Sequence, residues 1–112
     1  MTEDAAAEIA VRLTELWRTS RPTVFERVNL LRSAFDSLAE NPADEEARAT
    51  GREAAHKLSG VLGVFGLPQG SEIAASVEHL LKSTEPLTAD DLSGLRQHIA
   101  DLDAVITSKP ER

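Results

Sequence analysis

The chain has 112 residues, a formal net charge of −7 and no cysteine. Its size and its 41% of hydrophobic residues indicate one folded domain with a single core. The acidic balance argues against nucleic acid or an anionic membrane as the main partner, and the lack of cysteine excludes disulfides and thiolate chemistry. No apolar run approaches the roughly 18–20 residues of a membrane span, and the acidic start "MTEDAAAEIA" lacks a signal-peptide pattern. We therefore expect a cytoplasmic protein.

The first forty residues predict two helices and no strand. A short first helix is expected over about 2–17, ahead of a break at the proline-containing segment "TSRPT". Thr23 and Glu26 would then form the capping box of a second helix, which ends at Asn41-Pro42. The apolar positions that recur at helical spacing in these two helices are Ile9, Leu13, Leu16, Trp17, Val24, Val28, Leu31, Phe35 and Leu38.

Three further helices are predicted in the rest of the chain. The third runs over about 43–65, Gly66-Leu67-Pro68 ends it and begins the fourth, and Thr88 caps the fifth. Short loops between amphipathic helices favour antiparallel neighbours. The sequence thus predicts an all-α fold, an antiparallel four-helix bundle with an additional short N-terminal helix packed across one end. We expect the domain to span residues 1–108, with 109–112 as a tail or linker.

His56 lies on the side of the third helix that faces away from the predicted core. On a helical wheel the apolar residues of this helix lie about 160–260° from it. Gly51 also lies on the apolar side, where its small size would permit close packing of helices. The residues of this apolar side are Ala47, Ala54, Ala55, Leu58, Leu62 and Phe65.

Two glycines follow His56 on its own side of the helix. Gly60 and Gly63 lie one and two turns further along, and each glycine within a helix costs about 0.5–1 kcal/mol relative to alanine. Because they face outward, close packing in the core does not compensate for this cost. We interpret them as clearing a surface on which another protein can lie flat and reach the imidazole. Arg52 and Lys57 are close enough along the helix to attract an anion bound there.

These residues resemble the histidine-containing phosphotransfer (HPt) domain family. The stretch "AHKLSGVLGVFG" supplies the family's His-x-Leu-x-Gly pattern as His56, Leu58 and Gly60, with further glycines at Gly63 and Gly66. The continuation "LPQGSEIAASVEHLL" is similar to the next helix of bacterial members, so the specific match covers about residues 52–81.

The resemblance implies a role for the chain in a bacterial two-component phosphorelay. His56 would accept a phosphoryl group from a kinase or a phospho-aspartate and exchange it with an aspartate of a response-regulator receiver domain. Mg²⁺ is expected in that receiver, so this chain would need no cofactor and no metal of its own. It would be a relay intermediate without autonomous catalytic activity, either a monomer or a domain of a larger protein.

The sequence departs from the family pattern at two positions after the histidine. Many members have lysine three residues and serine five residues after it, where this chain has Ser59 and Val61. Lys57 and Arg52 are therefore our candidates for the cation that screens the phosphoryl group. With Ser59, Gly60 and Gly63 they form the predicted partner-docking set.

Two other hypotheses remain open at the level of sequence. In the first, the bundle is a non-catalytic protein-interaction module with a vestigial histidine. In the second, the chain is a metal-binding bundle that uses His79 and His98, although it has no His-x-x-x-His ligand pair.

Overall fold

The computed structural model describes residues 3–111, which form four α-helices and no strand. Each helix packs against two neighbours: α1 and α3 both contact α2 and α4, so the two pairs occupy the diagonals of a square bundle. The predicted all-α four-helix bundle is confirmed. The helices are α1 (Glu3–Glu40), α2 (Glu45–Val64), α3 (Pro68–Lys82) and α4 (Ala89–Ser108).

The first of these helices corrects the sequence prediction. The expected short N-terminal helix is not a separate element packed across an end, because α1 continues without interruption through Pro22. The capping box expected from Thr23 and Glu26 therefore does not start a helix. At 38 residues α1 is the longest helix, and the described chain is elongated, at 53 × 21 × 20 Å.

Burial on both sides of Pro22 explains why the helix continues. A proline within a helix removes one hydrogen bond and costs about 3 kcal/mol. Pro22 itself is exposed, so water can solvate the carbonyl group that loses its donor. Trp17 and Val24 are seven residues apart, lie on one face and are both buried. A break between them would turn one of these side chains out of the core.

The other helix ends follow the predicted signals closely. α1 ends immediately before Asn41-Pro42, and Gly66 has a φ of 73° between α2 and α3, a left-handed conformation that favours glycine. Thr88 caps α4 as predicted. Its hydroxyl accepts a hydrogen bond from the Asp91 backbone N–H at 3.0 Å, and the Asp91 carboxylate accepts one from the Thr88 N–H at 2.9 Å.

Aliphatic side chains from all four helices fill the core, and an aromatic pair closes one end. The rings of Trp17 and Phe65 are tilted against each other, with centroids 5.1 Å apart. The inward orientation predicted for Gly51 is confirmed, because a β-carbon there would stand 2.9 Å from Leu81 Cδ1 and 3.2 Å from Ala34 Cβ. α1, α2 and α3 thus meet closely at this glycine.

Substitutions of two glycines in α2 should change stability in opposite directions. We expect Gly51→Leu to lower the free energy of unfolding by about 1–3 kcal/mol, because the larger side chain overpacks the contact with Leu81 and Ala34. Gly60→Ala should raise it by about 0.5–1 kcal/mol, since a β-carbon at Gly60 meets no atom within 4 Å. Urea unfolding followed by circular dichroism measures both. A stabilising Gly51→Leu would contradict the packing described here.

The residues after α4 lie against α1. Lys109 Nζ stands 5.8 Å from the centroid of the Trp17 ring, and the Glu111 carboxylate lies 3.4 Å from Arg21 Nη1. The domain boundary at residue 108 stays a prediction. Among residues 3–111, no helix combines the length and apolar character needed to cross a membrane.

Candidate functional site

His56 stands on the outward face of α2, with 72% of its side chain exposed. Its neighbours Ala55 and Leu58 are completely buried, as the helical wheel predicts. The orientation expected for the imidazole is therefore confirmed. The buried residues of α2 hold the helix in place, while the atoms of the His56 ring remain open to solvent.

A carboxylate on the next helix holds one nitrogen of this ring. His56 Nδ1 lies 2.8 Å from Glu78 Oε2 on α3. An ionised carboxylate can only accept hydrogen bonds, so Nδ1 carries the proton and donates a hydrogen bond to Glu78. In the neutral imidazole this arrangement leaves the lone pair on Nε2, the nitrogen at the far side of the ring. Glu78 is the main neighbour of the His56 ring that the sequence analysis missed.

The pairing of α2 with α3 brings Glu78 to the histidine. The two helices run antiparallel about the turn at 65–67, so residues equally distant from that turn face each other. Gly51 packs on Leu81, and Ser71 Oγ donates a 2.7 Å hydrogen bond to the Ser59 carbonyl. This register places position 76 opposite His56, and Glu78, two residues further along α3, reaches the ring from there. Counting outward from the glycine and proline of this turn would have led to within two residues of Glu78 but not to Glu78 itself.

The two glycines after His56 have different surroundings. A β-carbon at Gly60 would meet no atom within 4 Å, so the surface one turn beyond the imidazole is bare backbone facing open space. A β-carbon at Gly63 would come within 3.6 Å of Ser71 Oγ, which is ordinary contact distance. Both glycines are exposed. Gly60 thus borders the open side of the histidine, whereas Gly63 lies towards α3.

Ser59 lies at the contact between α2 and α3 rather than fully on the surface. Its hydroxyl is 3.5 Å from Ser71 Oγ, and its carbonyl accepts the stronger hydrogen bond from the same hydroxyl. This half-buried pair ties the histidine helix to α3 one turn beyond His56. Ser71 is a second residue that the sequence analysis did not identify.

The two candidate cations differ in their contacts. Lys57 Nζ forms an ion pair with Glu53 at 3.0 Å, one turn back on the same helix. A hydrogen bond from Lys57 and its positive charge lower the pKa of the Glu53 carboxyl below the ordinary value. Arg52 is exposed and forms no ion pair with any residue in the range 3–111. Its guanidinium is thus available to an incoming anion, whereas Lys57 would have to exchange partners.

The remaining histidines lie on other helices. His79 is exposed on α3, next to Glu78 in the chain, and His98 is half-buried on α4 with its Nδ1 buried and without a hydrogen-bond partner. Within the described part of the chain, no three histidine or acidic side chains gather closely enough to hold a metal ion.

Comparison with known proteins identifies the family. The family model described as "Hpt domain" matches residues 15–105, which include most of α1 and all of the candidate site. The chain therefore belongs to the Hpt domain family. Hpt domains carry out histidine phosphotransfer in phosphorelays and are transfer modules rather than classical enzymes.

One relative is a much longer protein. The chain is similar to Protein RcaC of Microchaete diplosiphon, with 29% identity over 84 residues. The matched region covers 75% of this chain but 13% of RcaC, so the chain corresponds to a small part of that relative. No solved structure matches the chain significantly.

Proposed function

We propose that His56 is the phosphoryl acceptor and donor of this Hpt domain, and that it exchanges the group with an aspartate of a receiver domain in a bacterial phosphorelay. The observation that carries the proposal is the exposed imidazole whose Nδ1–H is held by Glu78, beside the bare backbone of Gly60. This arrangement presents Nε2 to a visiting protein.

The transfer requires only the lone pair of Nε2 on this chain. Nε2 attacks the phosphorus of an aspartyl phosphate, the N–P bond forms, and the bond from phosphorus to the carboxylate oxygen breaks. The aspartate leaves as a carboxylate, and the proton on Nδ1 stays in place. The reverse reaction returns the group to an aspartate. We assign Mg²⁺ to the receiver domain, where it would neutralise charge on the phosphoryl oxygens.

Glu78 supports this reaction in two ways. It fixes the tautomer and the orientation of the ring, so that Nε2 has the free lone pair before the partner arrives. It also faces the positive charge that develops on the ring when Nε2 forms its bond to phosphorus, because Nδ1 keeps its proton. Glu78 contacts the nucleophilic ring but not the reacting nitrogen, and is therefore a positioning residue.

The surface around His56 suits a receiver domain. Gly60 gives access along the helix, Gly63 extends the low surface, and the hydrogen bond between Ser59 and Ser71 keeps α2 and α3 together beneath it. Arg52 and Lys57 supply positive charge for the phosphoryl group and for the acidic residues of the partner. The cytoplasmic location of this exchange stays a prediction.

The test of the proposed function is transfer of a labelled phosphoryl group. The purified chain is incubated with phosphorylated receiver domains and kinases from its own genome. We expect label on the chain that is lost in acid and retained in base, as a phosphohistidine requires. Absence of such label with every partner tested would contradict the proposal.

Removal of Glu78 should slow transfer without abolishing it. An exposed hydrogen bond of this kind contributes about 0.5–1 kcal/mol, which corresponds to a reduction of about 2–5-fold in Glu78→Ala. Glu78→Gln, which keeps an acceptor oxygen, should lose less. Nitrogen NMR of the imidazole supplies a second measurement: the Nδ1–H tautomer should dominate in the parent chain and become mixed in Glu78→Ala. An unchanged tautomer and rate would show that Glu78 has no positioning role.

A further inference from the structure

The N-terminal part of α1 extends past the end of the bundle and carries exposed apolar side chains. Ile9, Leu13 and Leu16 are 45%, 43% and 55% exposed. They lie at spacings of four and three residues and therefore on one side of the helix. We call the segment 3–16 the α1 extension and these three side chains its apolar stripe. The apolar side chains of such a stripe stay in contact with water unless a partner packs against them.

The apolar stripe adjoins the end of the bundle. Leu13 shares the walls of an open surface cavity of about 330 Å³ with Val64, Phe65 and Gly66 at the end of α2, and with Lys109 after α4. Val64 is itself 69% exposed. The uncovered apolar surface thus runs from the α1 extension onto the bundle end, and a helix lying along the extension would reach both.

The charges around this surface favour one particular helix. Residues 3–8 contain three acidic and no basic side chains, namely Glu3, Asp4 and Glu8. The opposite end of the surface is net positive, because Arg21 on α1 and Lys109 against Trp17 outnumber Glu111, which pairs with Arg21. The surface is therefore complementary to its own reversed copy: an antiparallel second α1 extension would bring its acidic start to the basic end of the first. A parallel arrangement would place acid beside acid.

We propose that the α1 extension is a self-association surface, on which two copies of this chain pair antiparallel about a two-fold axis. Ile9 lies beside the partner subunit's Leu13, and Ala6 lies beside the partner subunit's Leu16. Glu3 approaches the partner subunit's Lys109. Because the axis is two-fold, each of these contacts occurs twice. The two bundles then point away from each other.

The size of this surface sets the strength of the expected dimer. A fourteen-residue helix is about 21 Å long, so the paired extensions and bundle ends form an interface at the small end of specific ones. We therefore expect reversible dimerisation that depends on protein concentration. Burying one leucine side chain contributes about 1.5–3 kcal/mol, and each leucine position occurs in both copies of the dimer. Replacing one leucine position should therefore weaken the dimer by about 100-fold or more.

Sedimentation over a concentration series up to the millimolar range tests the proposal. We expect the parent chain to pass from monomer to dimer and Leu13→Glu to remain monomeric. Val11→Glu is the matched control, because Val11 is also exposed, at 57% against 43% for Leu13, but lies about 200° around the same helix. It should dimerise like the parent. Circular dichroism checks that both variants keep their helices. A parent chain that stays monomeric, or equal losses in both variants, would overturn the proposal.

Cross-linking tests the direction of pairing, since the chain has no cysteine of its own. Ala6→Cys and Leu16→Cys are made separately and oxidised alone and as a mixture. Antiparallel pairing predicts that the mixture forms the heterodimeric disulfide faster than either variant forms its homodimer. Faster homodimer formation by each variant alone would indicate parallel pairing and overturn the proposed arrangement.

Discussion

Replacing His56 by glutamine should abolish phosphoryl labelling of the chain while leaving its helix content unchanged. The amide of glutamine is not a competent nucleophile, so no phosphoramidate can form at this position. The side chain is 72% exposed, and its pairing with Glu78 contributes at most about 1 kcal/mol to stability. Labelling by a phosphorylated receiver and circular dichroism of the same sample measure the two effects.

The other two histidines provide matched controls for this experiment. His79→Gln and His98→Gln should both keep the label, because neither ring combines exposure with a carboxylate that fixes its tautomer. Persistent label in His56→Gln would place the acceptor elsewhere. If His56→Gln instead preserved partner binding and biological output, the bundle would be an interaction module with a vestigial histidine.

Substitution of Gly60 by leucine should block transfer from a protein partner while the domain stays folded. Leucine favours a helix over glycine by about 0.5–1 kcal/mol, and no atom lies within 4 Å of the β-carbon position. The new side chain would, however, rise from the surface one turn beyond His56, where the partner approaches. We expect transfer from a phosphorylated receiver to fall at least about 10-fold, equivalent to at least about 1.4 kcal/mol.

Two comparisons separate obstruction of docking from damage to the chemistry. Gly94→Leu introduces the same side chain at another helical glycine with open surroundings, on α4, which does not contact α2. It should transfer normally. A small donor such as phosphoramidate needs no docked protein and should label Gly60→Leu as fast as the parent chain. Normal transfer from the receiver to Gly60→Leu would refute the steric role of this glycine.

The predictable parts of the fold are those set by local signals. The helix ends at Asn41-Pro42, Gly66 and Thr88 depend on chain stiffness, a left-handed turn and a capping side chain, and each is confirmed. The predicted break near Pro22 was wrong, because the prediction considered only the proline and not the buried side chains on either side of it. The buried positions on either side of it keep a single helical register, which outweighs the lost hydrogen bond.

In the candidate site, too, the features set within one helix were predictable and those set by packing between helices were not. The outward direction of His56 and the inward direction of Gly51 follow from the periodicity of α2 alone, and both are confirmed. Glu78 and Ser71 were missed because their positions beside His56 and Ser59 depend on the register between α2 and α3. The exposed state of Ile9 was equally hidden, since periodicity shows that a helix has an apolar side but not where its neighbours end.

The most direct measurement is the identity of the phosphorylated atom. Phosphorus and nitrogen NMR of the labelled chain shows which nitrogen of which imidazole bears the phosphoryl group. The hydrogen bond between Nδ1 and Glu78 predicts a single phosphorus resonance coupled to Nε2 of His56. A phosphoryl group on Nδ1 of His56, or on either of the other histidines, would contradict the account of this site.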